Sequence, residues 1–86
     1  MFLHIGRGHL LRKDDIIGIF DLEITTQSKR TKAYLAKKEK EKRVINVCDD
    51  IPRSFIVATE VGKEEVFISQ ISPQTLKARS EELIQD

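Results

Sequence analysis

The sequence predicts an α+β domain in which a single, mostly antiparallel β-sheet carries two helices, in the order βββ-α-βββ-α. Three observations lead to this fold class. Two apolar runs, residues 54–59 and 66–71, flank a short polar connection that contains Gly62, as in a β-hairpin. The run Ile16–Asp21 is β-branched and apolar, which is typical of an inner strand. Residues 29–42 are instead rich in the Lys, Glu, Ala and Leu that favour a helix.

The other elements follow from the same kinds of pattern. Residues 3–5 and 9–12 predict two short strands joined by a turn at Gly6-Arg7-Gly8, and residues 44–48 predict another strand. Thr25, Thr26 and Ser28 are each suitable N-caps for the helix at 29–42. The pair Ser72-Pro73 predicts the start of a second helix over residues 74–84, in which Leu76 and Leu83 share a face.

The strand at 54–59 is apolar at both odd and even positions, so both of its faces should be covered. The helix at 29–42 has only a thin apolar stripe, residues 33–36, and cannot cover a sheet face alone. We therefore expect the chain to associate with itself, either by isologous pairing or by head-to-tail contacts that close into a ring.

The composition indicates one domain spanning residues 1–86, of which 40% are hydrophobic and 34% charged. No apolar run approaches the ~20 residues that span a membrane, and the N-terminus does not resemble a signal peptide. The single Cys48 agrees with a reducing compartment. We expect a cytoplasmic protein that does not enter membranes.

The net charge of +1 conceals an asymmetry, because residues 1–43 carry +5 and residues 44–86 carry −4. A local basic surface can attract phosphates even on a nearly neutral molecule. A solvated helix is the alternative explanation of the lysines. The candidate DNA-contacting residues are Arg7, Arg12, Lys13, Lys29, Arg30, Lys32 and Arg53.

No pattern in the chain indicates catalysis or a bound cofactor. His4 and His9 lack a third metal ligand at a suitable spacing, and Cys48 lacks a nearby His or a Cys-x-x-Cys partner. The carboxylate pairs 14–15 and 49–50 are better explained as turns. We therefore predict no catalytic residues, no metal site, no cofactor and no small-molecule substrate.

Four segments together carry a resemblance to a known family. They are Leu3-His4-Ile5-Gly6, residues 15–21, residues 52–57, and the run from Ser72-Pro73 to Arg79. In these segments the chain resembles the bacterial extracellular-matrix regulatory proteins of the RemA/RemB family, and it is more similar to the B-type branch. The resemblance implies a DNA-binding regulator of biofilm-matrix genes with a fold like that of LytTR DNA-binding domains. For the A-type branch it also implies ring-shaped oligomers that hold curved DNA.

The chain departs from the A-type pattern at positions where that branch carries arginines. Asp14-Asp15 and Ile51-Pro52 stand there, and only Arg53 is nearby. The basic residues named above are therefore chosen by charge. The leading hypothesis is an oligomeric, non-enzymatic regulator that binds duplex DNA through repeated phosphate contacts. The alternative is a protein–protein interaction module whose basic helix docks on an acidic partner without binding DNA.

Overall fold

The computed structural model describes residues 1–25 and 27–82. Within these residues the chain forms β-strands, α-helices and one 3-10 turn at Lys13–Asp15. The strands are β1 Phe2–Gly6, β2 His9–Arg12, β3 Ile16–Asp21, β4 Val44–Asn46, β5 Ser54–Glu60 and β6 Lys63–Ser69. The helices are α1 Leu22–Thr25, α2 Lys29–Lys40 and α3 Pro73–Glu82. The α+β class predicted from the sequence is confirmed.

Four strands form a central sheet in the order β3-β5-β6-β4. The sheet is mostly antiparallel, as predicted, but β4 runs parallel to β6. The predicted central hairpin is β5–β6, and Glu60 pairs with Lys63 across its turn. Val61 and Gly62 make this turn, with φ angles of 51° and 75°. Positive φ at both central residues gives a turn that follows the right-handed twist of the strands.

The prediction of a single sheet is wrong, because β1 and β2 form a separate two-stranded sheet. Leu3, Ile5 and Leu11 are buried, while their neighbours along each strand are mostly exposed, so this hairpin has one apolar face. The apolar face packs on the central sheet. A hairpin with one apolar face buries more area by lying on the sheet than by extending its edge.

The central sheet is covered on both faces, as the apolar pattern of β5 predicted. On one face Ile56, Ala58 and Phe67 pack against the β1–β2 hairpin and against Leu76 of α3. On the other face Phe55, Val57 and Val66 pack against side chains of α1, α2 and β4, namely Leu22, Tyr34, Leu35 and Val44. The chain itself therefore supplies much of the cover that the sequence analysis expected from other copies.

The prediction of two helices is also wrong, because a one-turn helix, α1, follows β3 directly. Its cause is Asp21, whose Oδ1 accepts hydrogen bonds from the backbone N–H groups of Glu23 (2.9 Å) and Ile24 (3.1 Å). These bonds cap the helix start. Of the three proposed caps for α2, Ser28 performs the role, since its Oγ accepts from Thr31 N at 3.4 Å. Thr26 lies outside the described residues.

Helix α2 ends close to its predicted end, and helix α3 begins close to its predicted start. Helix α2 ends at Lys40, two residues earlier than predicted, and Lys42 takes a φ of 60° just beyond it. Helix α3 begins as predicted, because Ser72 Oγ accepts from Thr75 N at 3.2 Å. The C-terminal residues of that prediction, Leu83 and Ile84, lie outside the described residues.

Candidate functional site

The outward side of α2 carries the densest group of basic side chains. Tyr34 and Leu35 point toward the sheet, so the residues on the opposite side of the helix face solvent. This side includes four exposed residues at spacings of four, three and four along the sequence: Lys29, Ala33, Ala36 and Lys40. Successive residues are 100° apart on an α-helix, so these residues share one face. We call the exposed lysines of this side the lysine face: Lys29, Lys32, Lys37 and Lys40.

The structure brings together part of the predicted basic set. Lys29, Arg30 and Lys32 all belong to the first turn of α2 and are exposed. Lys37 and Lys40, which extend the same surface, were absent from the predicted set. The sequence signal that identifies them is helical spacing. Lys29, Ala33, Ala36 and Lys40 are three or four residues apart and include no large apolar residue, so this side of the helix faces outward, and Lys37 lies beside it.

The N-terminal basic residues lie on the other side of the central sheet. Arg7 is at the tip of the β1–β2 hairpin, and Arg12 and Lys13 are at its base. That hairpin packs on the face opposite to α2. The Arg7 Nε also donates a hydrogen bond to Asp49 Oδ1, which offsets part of its charge. These three residues are therefore not continuous with the lysine face.

Arg53 occupies a third location, just before β5. Its backbone N–H donates to Ser69 O at 2.9 Å, and its carbonyl accepts from Leu22 N at 3.1 Å. Its side chain is exposed and borders a polar pocket of about 380 Å³ that Asp21 and Glu23 also line. The two carboxylates lower the attraction of this surface for phosphate.

An apolar groove lies between β3 and α2. Its volume is about 380 Å³, and its apolar lining consists of Ile17, Phe20, Tyr34, Phe55 and Val57. Arg30, Thr31 and Glu64 complete the rim. Phe20 is 38% exposed and Ile17 59% exposed, so part of this apolar surface contacts water.

The groove owes its shape to an irregularity in β3. The pairing of β3 with β5 shifts register between Ile16 and Gly18. A Cβ on Gly18 would lie 2.6 Å from the Phe20 ring, so only glycine allows the ring to occupy this position. The Phe20 ring stacks on Phe55 with centroids 4.9 Å apart. The two rings form the floor of the groove.

The charged groups at one end of the groove are already paired. The Tyr34 hydroxyl donates a hydrogen bond to Glu64, and Lys38 Nζ lies 3.5 Å from Glu64 and 3.6 Å from Glu41. Burial and the adjacent Glu64 carboxylate raise the pKa of Tyr34 far above its usual value. The Tyr34 hydrogen bond, with help from Lys38, lowers the pKa of Glu64. Tyr34 thus remains a neutral donor, and Glu64 remains ionised.

Arg30 differs from these groups because it forms no ion pair with any side chain that the structure describes. The rim therefore combines an unpaired guanidinium with an apolar floor. The Glu64 carboxylate on the same rim is already paired with Tyr34 and Lys38.

The described residues show little that suggests a metal or catalytic centre. Among them, no group of three or more His, Cys, Asp or Glu side chains is placed to hold a metal ion. His4 is exposed, whereas the His9 ring packs against Phe67 with centroids 5.0 Å apart. Cys48 is buried, and its thiol donates to the Asp50 carbonyl. In the described part of the chain, no helix is long and apolar enough to cross a bilayer.

These features define a small α+β protein whose distinctive surfaces are a lysine-rich helix and an apolar groove. The chain belongs to the RemA-like family: the profile of this family, described as "Extracellular matrix regulatory protein A-like", matches residues 2–79. The chain is also 32% identical over 81 residues to Extracellular matrix regulatory protein B of Bacillus subtilis (strain 168). That match covers 94% of this chain and 91% of the relative. The resemblance seen in the sequence, including its B-type character, is confirmed.

Proposed function

We propose that this protein is an oligomeric, cytoplasmic transcription regulator that binds duplex DNA and controls extracellular-matrix or biofilm genes. Its family and its relative carry the name of extracellular matrix regulators, which supports the biological role. The observation that carries DNA binding is the lysine face of α2. We propose no enzymatic activity, in line with the absence of an acid, base and nucleophile set in the sequence.

The lysine face suits contact with a phosphate backbone. Its side chains extend from Lys29 to Lys40, a span of about 16 Å at 1.5 Å per residue. Ala33 and Ala36 lie between them and allow the helix to approach a surface closely. A lysine binds a phosphate as a point charge, and phosphate contacts carry no direct sequence information, so the binding we propose is largely independent of sequence.

One subunit with a few phosphate contacts binds weakly at physiological salt. Linked subunits convert later contacts into intramolecular ones and raise the overall affinity. Self-association is therefore part of the proposal. The likeness to LytTR DNA-binding domains also stays a prediction, and it is consistent with the α+β architecture.

The second candidate function is a protein–protein module whose basic helix binds an acidic partner. It is favoured by the arrangement of the other basic residues, because Arg7 is paired with Asp49 and Arg53 lies near Asp21 and Glu23. A single basic helix fits an acidic protein surface as well as it fits a phosphate backbone.

The test is a titration of a labelled duplex at two salt concentrations, with the protein mass in solution measured on the same sample. We expect Lys29→Gln combined with Lys40→Gln to weaken binding to all sequences alike. Removing one lysine–phosphate interaction makes the slope of log K against log salt shallower by about 0.9. Lys77→Gln replaces an exposed lysine on α3, outside the lysine face, and as the control for losing a single lysine it should leave the slope unchanged.

Equal slopes for the double variant and the control would remove the lysine face from the mechanism. An oligomer that ignores duplex DNA even at low salt would contradict DNA binding. Retention of one acidic protein by the wild-type chain, but not by the double variant, would then support the second candidate function.

A further inference from the structure

The turn of the central hairpin combines backbone strain with an exposed apolar side chain. Val61 is 97% exposed and has a φ of 51°. For a β-branched residue this left-handed conformation is a genuine outlier, and turns of this shape prefer Asn, Asp or Gly. Val61 gains almost no burial within its own chain to offset the strain. Such outliers are often kept for a function.

The apolar groove, in turn, has exposed apolar surface and a charged group with which no described side chain forms an ion pair. Ile17 and Phe20 expose apolar surface there, and Arg30 on the rim has no acidic partner among the described residues. The hairpin turn carries the matching groups, since Glu60 immediately precedes Val61 and is exposed. Lys63 lies opposite Glu60 across the turn, but within the part of the chain that the structure describes no cation lies at ion-pair distance from Glu60.

We propose that the groove binds the β5–β6 turn of a second copy of this chain. Val61 of one copy lies on the apolar floor of the other, and Glu60 lies beside Arg30. This inference rests on the self-association in the proposed function and gives it a location.

The turn and the groove are different surfaces, so the contact is heterologous and every copy carries both halves of it. A two-residue turn is narrow and projects beyond the sheet, which allows its side chains to enter a groove of about 380 Å³. The groove borders β3, an outer strand of the central sheet.

The first test is Val61→Asn, with association measured by sedimentation in the absence of DNA. Asn-Gly is the preferred sequence for this turn, so the variant should fold at least as stably as the wild type at a protein concentration where both are monomeric. Loss of the apolar side chain should weaken association about tenfold or more. A merely structural role for Val61 predicts no loss of association.

The second test reverses the charges across the proposed contact. Glu60→Arg and Arg30→Glu should each weaken association, because each places like charges together, and the double variant should restore most of it. Lys77→Glu on α3 is the control of equal charge change and should have no effect. A double variant as weak as either single variant would overturn the assignment.

The outcomes separate this inference from the function it rests on. Oligomers that persist unchanged in Val61→Asn would overturn the contact proposed here and leave self-association standing. A wild-type chain that sediments as a monomer at all concentrations would overturn both. Duplex binding is measured separately: it should weaken when association is lost, whereas loss of the lysine face should weaken it without changing association.

Discussion

Two buried serines join the central sheet to the β1–β2 hairpin and to the segment that leads into α3. Replacing each of them with alanine tests how much these hydrogen bonds stabilise the fold. Ser54 and Ser69 lie opposite each other on β5 and β6 and are fully buried. Ser69 Oγ donates to the Ile5 carbonyl at 2.7 Å and accepts from Ile71 N at 3.0 Å. Ser54 Oγ donates to the Ile71 carbonyl at 2.7 Å. Ser69 thus ties the β1–β2 hairpin to the central sheet.

Ser69→Ala should be the more damaging of the two alanine substitutions. It leaves the Ile5 carbonyl and the Ile71 N–H without this partner, and each unsatisfied buried group costs about 1–3 kcal/mol. The free energy of unfolding should therefore fall by about 2–6 kcal/mol. Ser54→Ala removes one bond and should cost about 1–3 kcal/mol. For a domain of this size, each kcal/mol lowers the Tm by about 4–8 °C.

Urea and thermal unfolding, at one protein concentration for all variants, measure both effects. Amide hydrogen exchange adds a local readout, because Ser69→Ala should reduce the protection of β1 more than that of β5. The reasoning is refuted if Ser69→Ala costs no more than Ser54→Ala, or if the protection of β1 is unchanged.

Two further predictions concern backbone and charge. Gly6 has a φ of 133°, and a Cβ there would lie 2.5 Å from the Val47 carbonyl oxygen, so Gly6→Ala should cost at least about 3 kcal/mol in urea unfolding. Gly8→Ala, with a φ of 70° and open space, should cost only about 1–2 kcal/mol, and equal costs would contradict the close approach. Tyr34→Phe should cost about 1 kcal/mol at neutral pH, because Glu64 loses a hydrogen bond at a partly exposed site. The pKa of Glu64 is lower in the folded protein than in the unfolded chain. The stabilisation from this hydrogen bond is therefore present above the unfolded pKa of about 4.3 and disappears as the pH falls through the pKa of folded Glu64. A stability difference between the wild type and Tyr34→Phe that stays constant with pH would refute this reasoning.

Much of the fold could be predicted because strong local signals agree with the final packing. The central hairpin follows from two apolar runs around Gly62, and the start of α3 follows from Ser72-Pro73. The arrangement of the β1–β2 hairpin could not be predicted in this way. Its strands were recognised, but whether a hairpin extends a sheet or lies on it depends on contacts with residues distant in sequence, such as Phe67. The parallel pairing of β4 is nonlocal for the same reason.

The sequence predicts the candidate site less completely than the fold, because the charge of a surface depends on which residues the fold brings together and not on their order along the chain. Arg7 was chosen without its partner Asp49, which is 42 residues away in the sequence. Lys37 and Lys40 were left out although they share the outward side of α2 with Lys29. The apolar groove was foreseen only as uncovered sheet surface. Its location depends on the register shift between Ile16 and Gly18 and on how Tyr34 and Leu35 of α2 pack against the sheet, and neither can be read from local patterns.

Helix α2 links the two proposals, because its two sides border different surfaces. Tyr34 and Thr31 face the groove, and Lys29 and Lys40 face solvent. A second copy bound in the groove would therefore leave the lysine face accessible and would fix its direction relative to the lysine face of the neighbour. Phosphate contacts that are weak in one subunit then add along the assembly. On this reasoning, separating the subunits lowers duplex affinity even when every lysine is retained, whereas removing lysines lowers it without dissociating the assembly.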